Sequence, residues 1–511
     1  MNAPERTPMS LLPLVPLPVS LAADGSAPFR LDAGATITGD ADAAATLARL
    51  LEVRTGIAPA HAESGAIVLR RSPGGTAESY RLTVDAASVV VTAPDAAGLF
   101  YGVQTLGQLV AQGDAGFVIP AATIQDAPRF TYRGVMLDVA RHFFPVETVK
   151  AYIDRAASLK FNALHLHLAD DQGWRIELAS RPALTEVASG TSVGGDPGGF
   201  YTKADYRELV AYAAARHMIV VPEIDVPGHT HAVGLAYPEL GEAPVISEEI
   251  RQTVRDYGGE LPTPRTPYEG MAVGFSSLKI HDEATYDFLA DVFGELAGMT
   301  PGPYLHVGGD EALGTAPDDF AEFMRRVTAL VADLGKTPIA WHEAGSAAGL
   351  DEQTIGQYWG LRTPTDGMDE KARAFVRNGA QLILSPADAI YLDMKPSAES
   401  ELGLTWANGP TSVERAYAWD AAEIIEGIDE RDILGIEAPM WSETLRTLAD
   451  LDAMAFPRIA AAAEAAWSVP LGTDALRAWE SFRDRAGALA PLWRSMGVAL
   501  PASDEVAWTA G

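Results

Sequence analysis

The chain has 511 residues, more than one hydrophobic core usually organises, with the ordinary globular balance of 48% hydrophobic and 21% charged residues. Lys and Arg total 38 against 69 Asp and Glu, a net charge of -31 that repels nucleic acid and anionic membranes and disfavours sulfated or sialylated ligands. Cysteine is absent, which excludes disulfides, thiol catalysis and zinc–thiolate sites and fits a reducing compartment.

The N-terminus carries an apolar run from Leu11 to Pro18, but Pro13, Pro16 and Pro18 break any helix there. Neither a charged n-region nor a small-residue cleavage site is clear, so the segment reads as an extended lead-in. The expected location is cytoplasmic, with export left open. No stretch approaches the roughly 20 apolar residues that span a bilayer.

Residues up to about 125 are rich in Ala and Gly and show short alternating strands at Ala66–Arg70 and Ser88–Thr92. A helical pattern runs from Gly98 to Leu106. These predict a small α+β domain over residues 1–125, with no cluster of catalytic residue types. From about 130 the texture changes to short apolar runs alternating with amphipathic helices. Strands are predicted at Thr131–Val139, Ala163–Ala169, Met218–Ile224, Tyr304–Val307, Pro338–Trp341, Thr354–Tyr358, Gln381–Leu384 and Ile433–Ala438. Helices are predicted at Val146–Leu159, at Lys203–His217 behind a capping box of Thr202 and Asp205, and at Asp282–Leu296. Eight buried parallel strands separated by helices close into a (β/α)8 TIM barrel. The expected division is therefore an α+β domain over 1–125 and a catalytic barrel with C-terminal helices over 126–511.

Barrel active sites sit on the loops after the strands' C-terminal ends. Strand one runs out through Asp138 to Arg141, strand two into Asp170-Asp171-Gln172, and strand three into Asp225 and His229. The fourth ends in Gly308-Gly309-Asp310-Glu311 and the fifth in Trp341-His342-Glu343. Trp359 follows strand six, Asp388, Tyr391 and Asp393 follow seven, and Trp441 and Glu443 follow eight. Tryptophan faces stack on pyranose rings while carboxylates and Arg bind hydroxyls, which suits sugar hydrolysis. Neighbouring side chains on a strand point to opposite faces, so Asp310 and Glu311 reach one substrate only if the backbone turns, and Gly308-Gly309 supply that freedom. So close a pair should titrate together, one carboxyl ionised and the other protonated.

Several residues have structural readings too. Asp138 reads as a structural partner of Arg133 or Arg141. His165 and His167 alternate on a strand and face one side. They fit satisfied core histidines better than a metal site, since only His229, His231 and His306 could complete a ligand set. Trp174 and Arg175 read as loop braces, and Trp419, Trp467, Trp479 and Trp493 as packing residues.

His306-Val307-Gly308-Gly309-Asp310-Glu311 resembles the signature of family 20 glycoside hydrolases, the β-N-acetylhexosaminidases. Leu137–Phe144, His165–Arg175, Pro222–His229 and Glu437–Glu443 are similar to further stretches of that family, in family order. The resemblance implies an exo-acting, retaining enzyme that removes terminal N-acetylglucosamine, or N-acetylgalactosamine, from oligosaccharides or glycoconjugates. It implies no cofactor, no metal and no enzyme nucleophile, because the substrate's acetamide oxygen attacks C1 and forms an oxazolinium ion. Under it Glu311 is the acid and then the base, Asp310 orients the acetamide, and Asp170 and His229 support the acid. Arg141 would grip the 3- and 4-hydroxyls, with Glu443 and Asp393 across the ring. Trp341, Trp359 and Trp441 would box the acetamide, Tyr391 would bond its oxygen, and Trp406 would lie near the 6-hydroxyl. A homodimer is common in the family and is not decided by the sequence. A β-glucosidase with its own nucleophile, a sugar-binding barrel without catalysis and a metal-dependent amidohydrolase are the rival readings.

Overall fold

The computed structural model describes residues 12–23 and 25–510. Contacts gather the chain into two compact units. The larger comprises Tyr132–Ala156 and Phe161–Ala455. The other draws together the described residues up to Thr131, Ala157–Lys160 and those from Phe456 onward. This grouping differs from the expected division, which kept every residue after 125 with the barrel.

The reason lies in a buried ion pair. Glu464 accepts from Arg485 at 2.7 Å through each carboxylate oxygen and takes the Leu17 amide at 3.0 Å. A charge pair with no solvent must be satisfied on every side, and this one binds the C-terminal helices to the lead-in. Leu14, Val15 and Leu17 are buried, and Gln108 exchanges two hydrogen bonds with the Val15 backbone. The described part of the lead-in is helix-free, as its prolines require, and passes into a strand at Ser20–Ala22. The expectation for residues 1–11 lies outside the described residues.

The smaller unit is built on a seven-stranded mixed sheet that includes the expected strands, found at Ile67–Arg71 and Val89–Ala93. The expected helix spans Ala96–Leu109 and starts at Asp95, whose side chain accepts the Gly98 amide. A three-stranded sheet of Phe29–Leu31, Gly116–Ile119 and Ala111–Gly113 completes its strands.

The larger unit is a closed, all-parallel barrel of eight strands. They are β1 (Tyr132–Asp138), β2 (Ala163–His167), β3 (Ile219–Glu223), β4 (Tyr304–His306), β5 (Thr337–Trp341), β6 (Ile355–Tyr358), β7 (Leu382–Leu384) and β8 (Ile433–Ala438). Helices at Val146–Ser158, Lys203–Ala214 and Glu283–Met299 match the expected ones, and the Thr202–Asp205 capping box is formed in both directions.

Barrel interiors fill in layers. One layer is apolar: Tyr132, Ala163, Val221, Ile339, Ile355 and Ile383. Nearer the strand ends the filling turns polar, and register fixes which residues meet. Asp138 pairs with His167, His167 with Glu223, and Glu223 with His306. The chemistry therefore begins inside the barrel.

Candidate active site

The polar filling is a ladder of alternating charge. Tyr132 donates to Glu437, and His165 lies between Glu437 at 2.8 Å and Glu223 at 3.0 Å. His167 bridges Glu223 and Asp170, the latter at 2.7 Å. Glu223 also accepts the Trp341 indole N–H at 2.9 Å, and His306 stands 3.0 Å from the same oxygen. All these side chains are buried. Burial opposes the charge on His165 and His167, but the facing carboxylates prevail and raise them to about 10 and about 9. His306, where burial prevails, is pushed below the ordinary histidine value. The two histidines thus act as core cations whose donors are spent on carboxylates.

That arrangement has a pH signature. An unfolded histidine titrates near about 6.5. Groups raised when folded contribute stability that is complete below that value and lost as pH climbs through the folded values, about 9 and about 10. The melting temperature is expected to fall steadily between pH 7 and pH 10. A flat profile across that range would disprove the charged ladder.

From Asp170 the ladder reaches the strand-end loops. Arg141 binds Asp170 at 2.8 Å, and His229 Nδ1 lies 3.2 Å from the other oxygen of Asp170. Although burial acts against both charges, Arg141 and His229 hold Asp170 well below the carboxylate range. Asp170, Asp225 and Asp310 in turn hold His229 well above the histidine range against the same burial. The far nitrogen of His229 stands 3.7 Å from Asp310 and 3.6 Å from Glu311. The expected backbone turn is present: φ is +67° at Gly308, +100° at Gly309 and +45° at Glu311. A Cβ on Gly308 would sit 1.8 Å from Asp225 Oδ1, so the close approach of β3's loop also demands glycine. Asp225 Oδ1 accepts the Gly309 amide at 2.9 Å, and burial beside Asp310 pushes Asp225 well up. Burial likewise raises Asp310, with His229 opposing.

Asp310 and Glu311 open into a cavity of about 270 Å³. Arg141, Trp359, Tyr391, Trp406, Trp441 and Glu443 share its lining, so eight of the twelve expected site residues meet in one space. Asp170 and His229 stand behind that surface. Trp341 packs beneath it with Tyr391 and Trp441, whose rings lie 6.2 and 6.5 Å apart along the row. Asp393 is buried, and its charge acts on the Tyr391 phenol. Burial raises Glu443 to about 7 despite Arg141 nearby.

Further lining of the cavity was not expected residue by residue. Thr253, Tyr257, Met271 and Val273 line it from the segment that follows β3. That segment carries the helix Glu248–Tyr257 and its own small core of Ile250, Tyr268, Ala272 and Phe275. Its residues are ordinary loop and helix types, so no local signal marks them as site residues.

The structural readings of other residues hold where contacts can be seen. Asp138 accepts the amides of Ala140 and Ser442 and stands 3.5 Å from Arg141. Arg175 braces loops by donating to the carbonyls of Val139, Ala140, Ser189 and Thr191. Four overlapping triads could bring metal donors together among the described residues, one of them Asp225, His229 and Asp310. In the two triads that contain Glu223, its oxygens are already engaged by His165, His167 and Trp341.

Comparison with known proteins fixes the family. The sequence profile described as glycosyl hydrolase family 20, catalytic domain, matches residues 130–470, and that of the family's domain 2 matches residues 11–127. The chain belongs to glycoside hydrolase family 20. It is a glycoside hydrolase, of the β-N-acetylhexosaminidase family. It is 41% identical to a β-N-acetylhexosaminidase of Cellulomonas fimi, over 97% of each chain. A solved family 20 β-N-acetylglucosaminidase superposes with a TM-score of 0.90 at 66% identity, covering 98% of this chain and 100% of the other. The Streptomyces coelicolor β-N-acetylhexosaminidase follows with 0.88 at 43% identity, covering 99% and 100%. Among the described residues no helix of this family 20 chain is long and apolar enough to cross a membrane.

Proposed function

We propose that the chain is an exo-acting, retaining β-N-acetylhexosaminidase that releases terminal N-acetylglucosamine, or N-acetylgalactosamine, from oligosaccharides by substrate-assisted catalysis. The observation that carries the reading is the shared cavity. One space holds an adjacent carboxyl pair, an aromatic box of Trp359, Tyr391 and Trp441, and the hydroxyl-binding types Arg141 and Glu443. The names of the family 20 relatives support the same activity.

In this mechanism the acetamide oxygen attacks C1 as the C1–oxygen bond to the leaving group breaks. Glu311 gives its proton to the departing oxygen. Asp310 takes the acetamide N–H and offsets the positive charge of the oxazolinium ion. Water then attacks C1 from the leaving-group side, Glu311 recovers a proton from it, and the acetamide is restored with net retention. Asp170 and His229 stand behind the pair and keep a positive charge beside both carboxyls. Arg141, tied to Asp170, would hold the 3- and 4-hydroxyls, opposite Glu443 and Asp393. Trp341 would close the floor of the acetamide box, Tyr391 would donate to the acetamide oxygen, and Trp406 would approach the 6-hydroxyl.

The test is hydrolysis of p-nitrophenyl N-acetyl-β-glucosaminide beside the plain β-glucoside, with the thiazoline analogue of the intermediate as inhibitor. Turnover of the N-acetyl substrate alone, blocked by thiazoline, is the expected result. Turnover of the glucoside without thiazoline inhibition would mean a protein nucleophile and would end this reading.

A further inference from the structure

Two indoles of the aromatic box are anchored in the same manner by different carboxyl groups. Trp341 Nε1 donates to Glu223, deep in the barrel ladder. Trp359 Nε1 donates to Glu343 Oε2 at 3.0 Å. Glu343 belongs to the 3-10 turn His342–Ser346 that follows β5, while Trp359 is the first residue beyond β6. A side chain from one strand end therefore holds a wall supplied by the next.

Trp359 needs such a hold more than its companions. Trp341 and Trp441 are buried, whereas Trp359, which lines the cavity with Trp441, is only half-buried. Its other neighbours steer the ring without bonding it. The His342 ring lies 5.3 Å away, tilted, and the Trp406 ring meets it edge-on at 5.8 Å. Trp406 is itself 48% exposed and offers a weak backstop. Among the described residues, the bond to Glu343 is the directional contact on the indole N–H, and a polar group at a half-buried site holds its geometry through such a bond.

We infer that Glu343 is a positioning residue that, by accepting the Trp359 indole N–H, fixes the wall that limits how long an N-acyl chain the site admits. This rests on Trp359 forming part of the acetamide box. Burial, with Asp310 nearby, pushes the Glu343 carboxyl up to about 8. A glutamine there copies its shape and its accepting oxygen.

The experiment compares kcat/KM for p-nitrophenyl glycosides of N-acetyl- and N-propionyl-glucosamine on the full chain and on Glu343→Met and Glu343→Gln. One added methylene is discriminated by about 10–200-fold in a fitted pocket. Glu343→Met is expected to lower the acetyl-over-propionyl ratio about tenfold, because a wall free to swing admits the longer chain. Glu343→Gln should restore the ratio to within about twofold of the unaltered chain. An unchanged ratio in Glu343→Met overturns the inference, even if both substrates slow in proportion. So does an equal loss in both variants, which would assign the effect to something other than the indole bond. Should Glu343→Met not fold by circular dichroism, Glu343→Ala is read by the same ratio. An unaltered chain that turns over neither substrate refutes the proposed function instead, and that result is seen before any variant is made.

Discussion

Glu311→Gln is expected to lower kcat/KM for N-acetylglucosaminides of poor leaving groups, such as a second sugar, by about 10²–10⁴-fold. The amide fills the same volume as the acid and cannot give up a proton. Nothing in the fold depends on that proton: the Glu311 side chain is 35% exposed, and its ion-pair neighbour is His229 at 3.6 Å. The circular dichroism spectrum and melting temperature should therefore stay as they were. The loss should also depend on the leaving group. Dinitrophenolate departs without protonation, so its release should slow far less than that of a sugar. Equal losses for the two leaving groups would show that Glu311 does something other than donate the proton.

For Asp310→Asn the expected loss in kcat is about 10²–10³-fold, with a smaller change in KM. Asp310 Oδ1 is buried without a hydrogen-bond partner, a costly state for an acceptor unless a donor arrives with the substrate. The acetamide N–H is such a donor. Its bond to a carboxylate strengthens as positive charge grows on the oxazolinium ion, and a neutral amide cannot follow that growth. Thiazoline, which resembles the intermediate, should weaken in parallel with kcat/KM. Full activity, or lost activity with thiazoline affinity intact, would remove Asp310 from this role.

The barrel was legible because its signal is local. Each strand is a short apolar run between helices, and all eight fall within three residues of the expected ends. The Asp310–Glu311 turn was legible as well, since only glycine serves where φ is positive and a neighbouring carboxylate presses close. The ladder was not. Glu223 sits within a recognisable stretch, yet its four partners come from β2, β4 and β5, and only closure of the barrel brings them together. Glu343 stood out as a strand-end carboxylate, but its bond to Trp359 was hidden for the same reason, because that partner lies 16 residues on, across a strand boundary. The grouping of the C-terminal helices escaped notice because Glu464 and Arg485 look like ordinary surface charges in sequence. Their burial depends on Leu14 and Leu17, more than 440 residues away.

The segment after β3 carries its own apolar nucleus while presenting Tyr257, Met271 and Val273 to the cavity. Its stability is thus partly decoupled from that of the scaffold beneath it. Such a piece behaves as a cassette: a different insert could be grafted between the helices His231–Ala236 and Glu283–Met299, leaving Asp225 and His229 in place, and bring its own packing with it. The reaction chemistry, seated in the ladder and the glycine turn, would be inherited unchanged, and selectivity toward whatever is attached to the terminal sugar would be free to diverge. In this architecture the carboxyl pair and part of the cavity lining that faces it are carried by separately packed stretches of the chain.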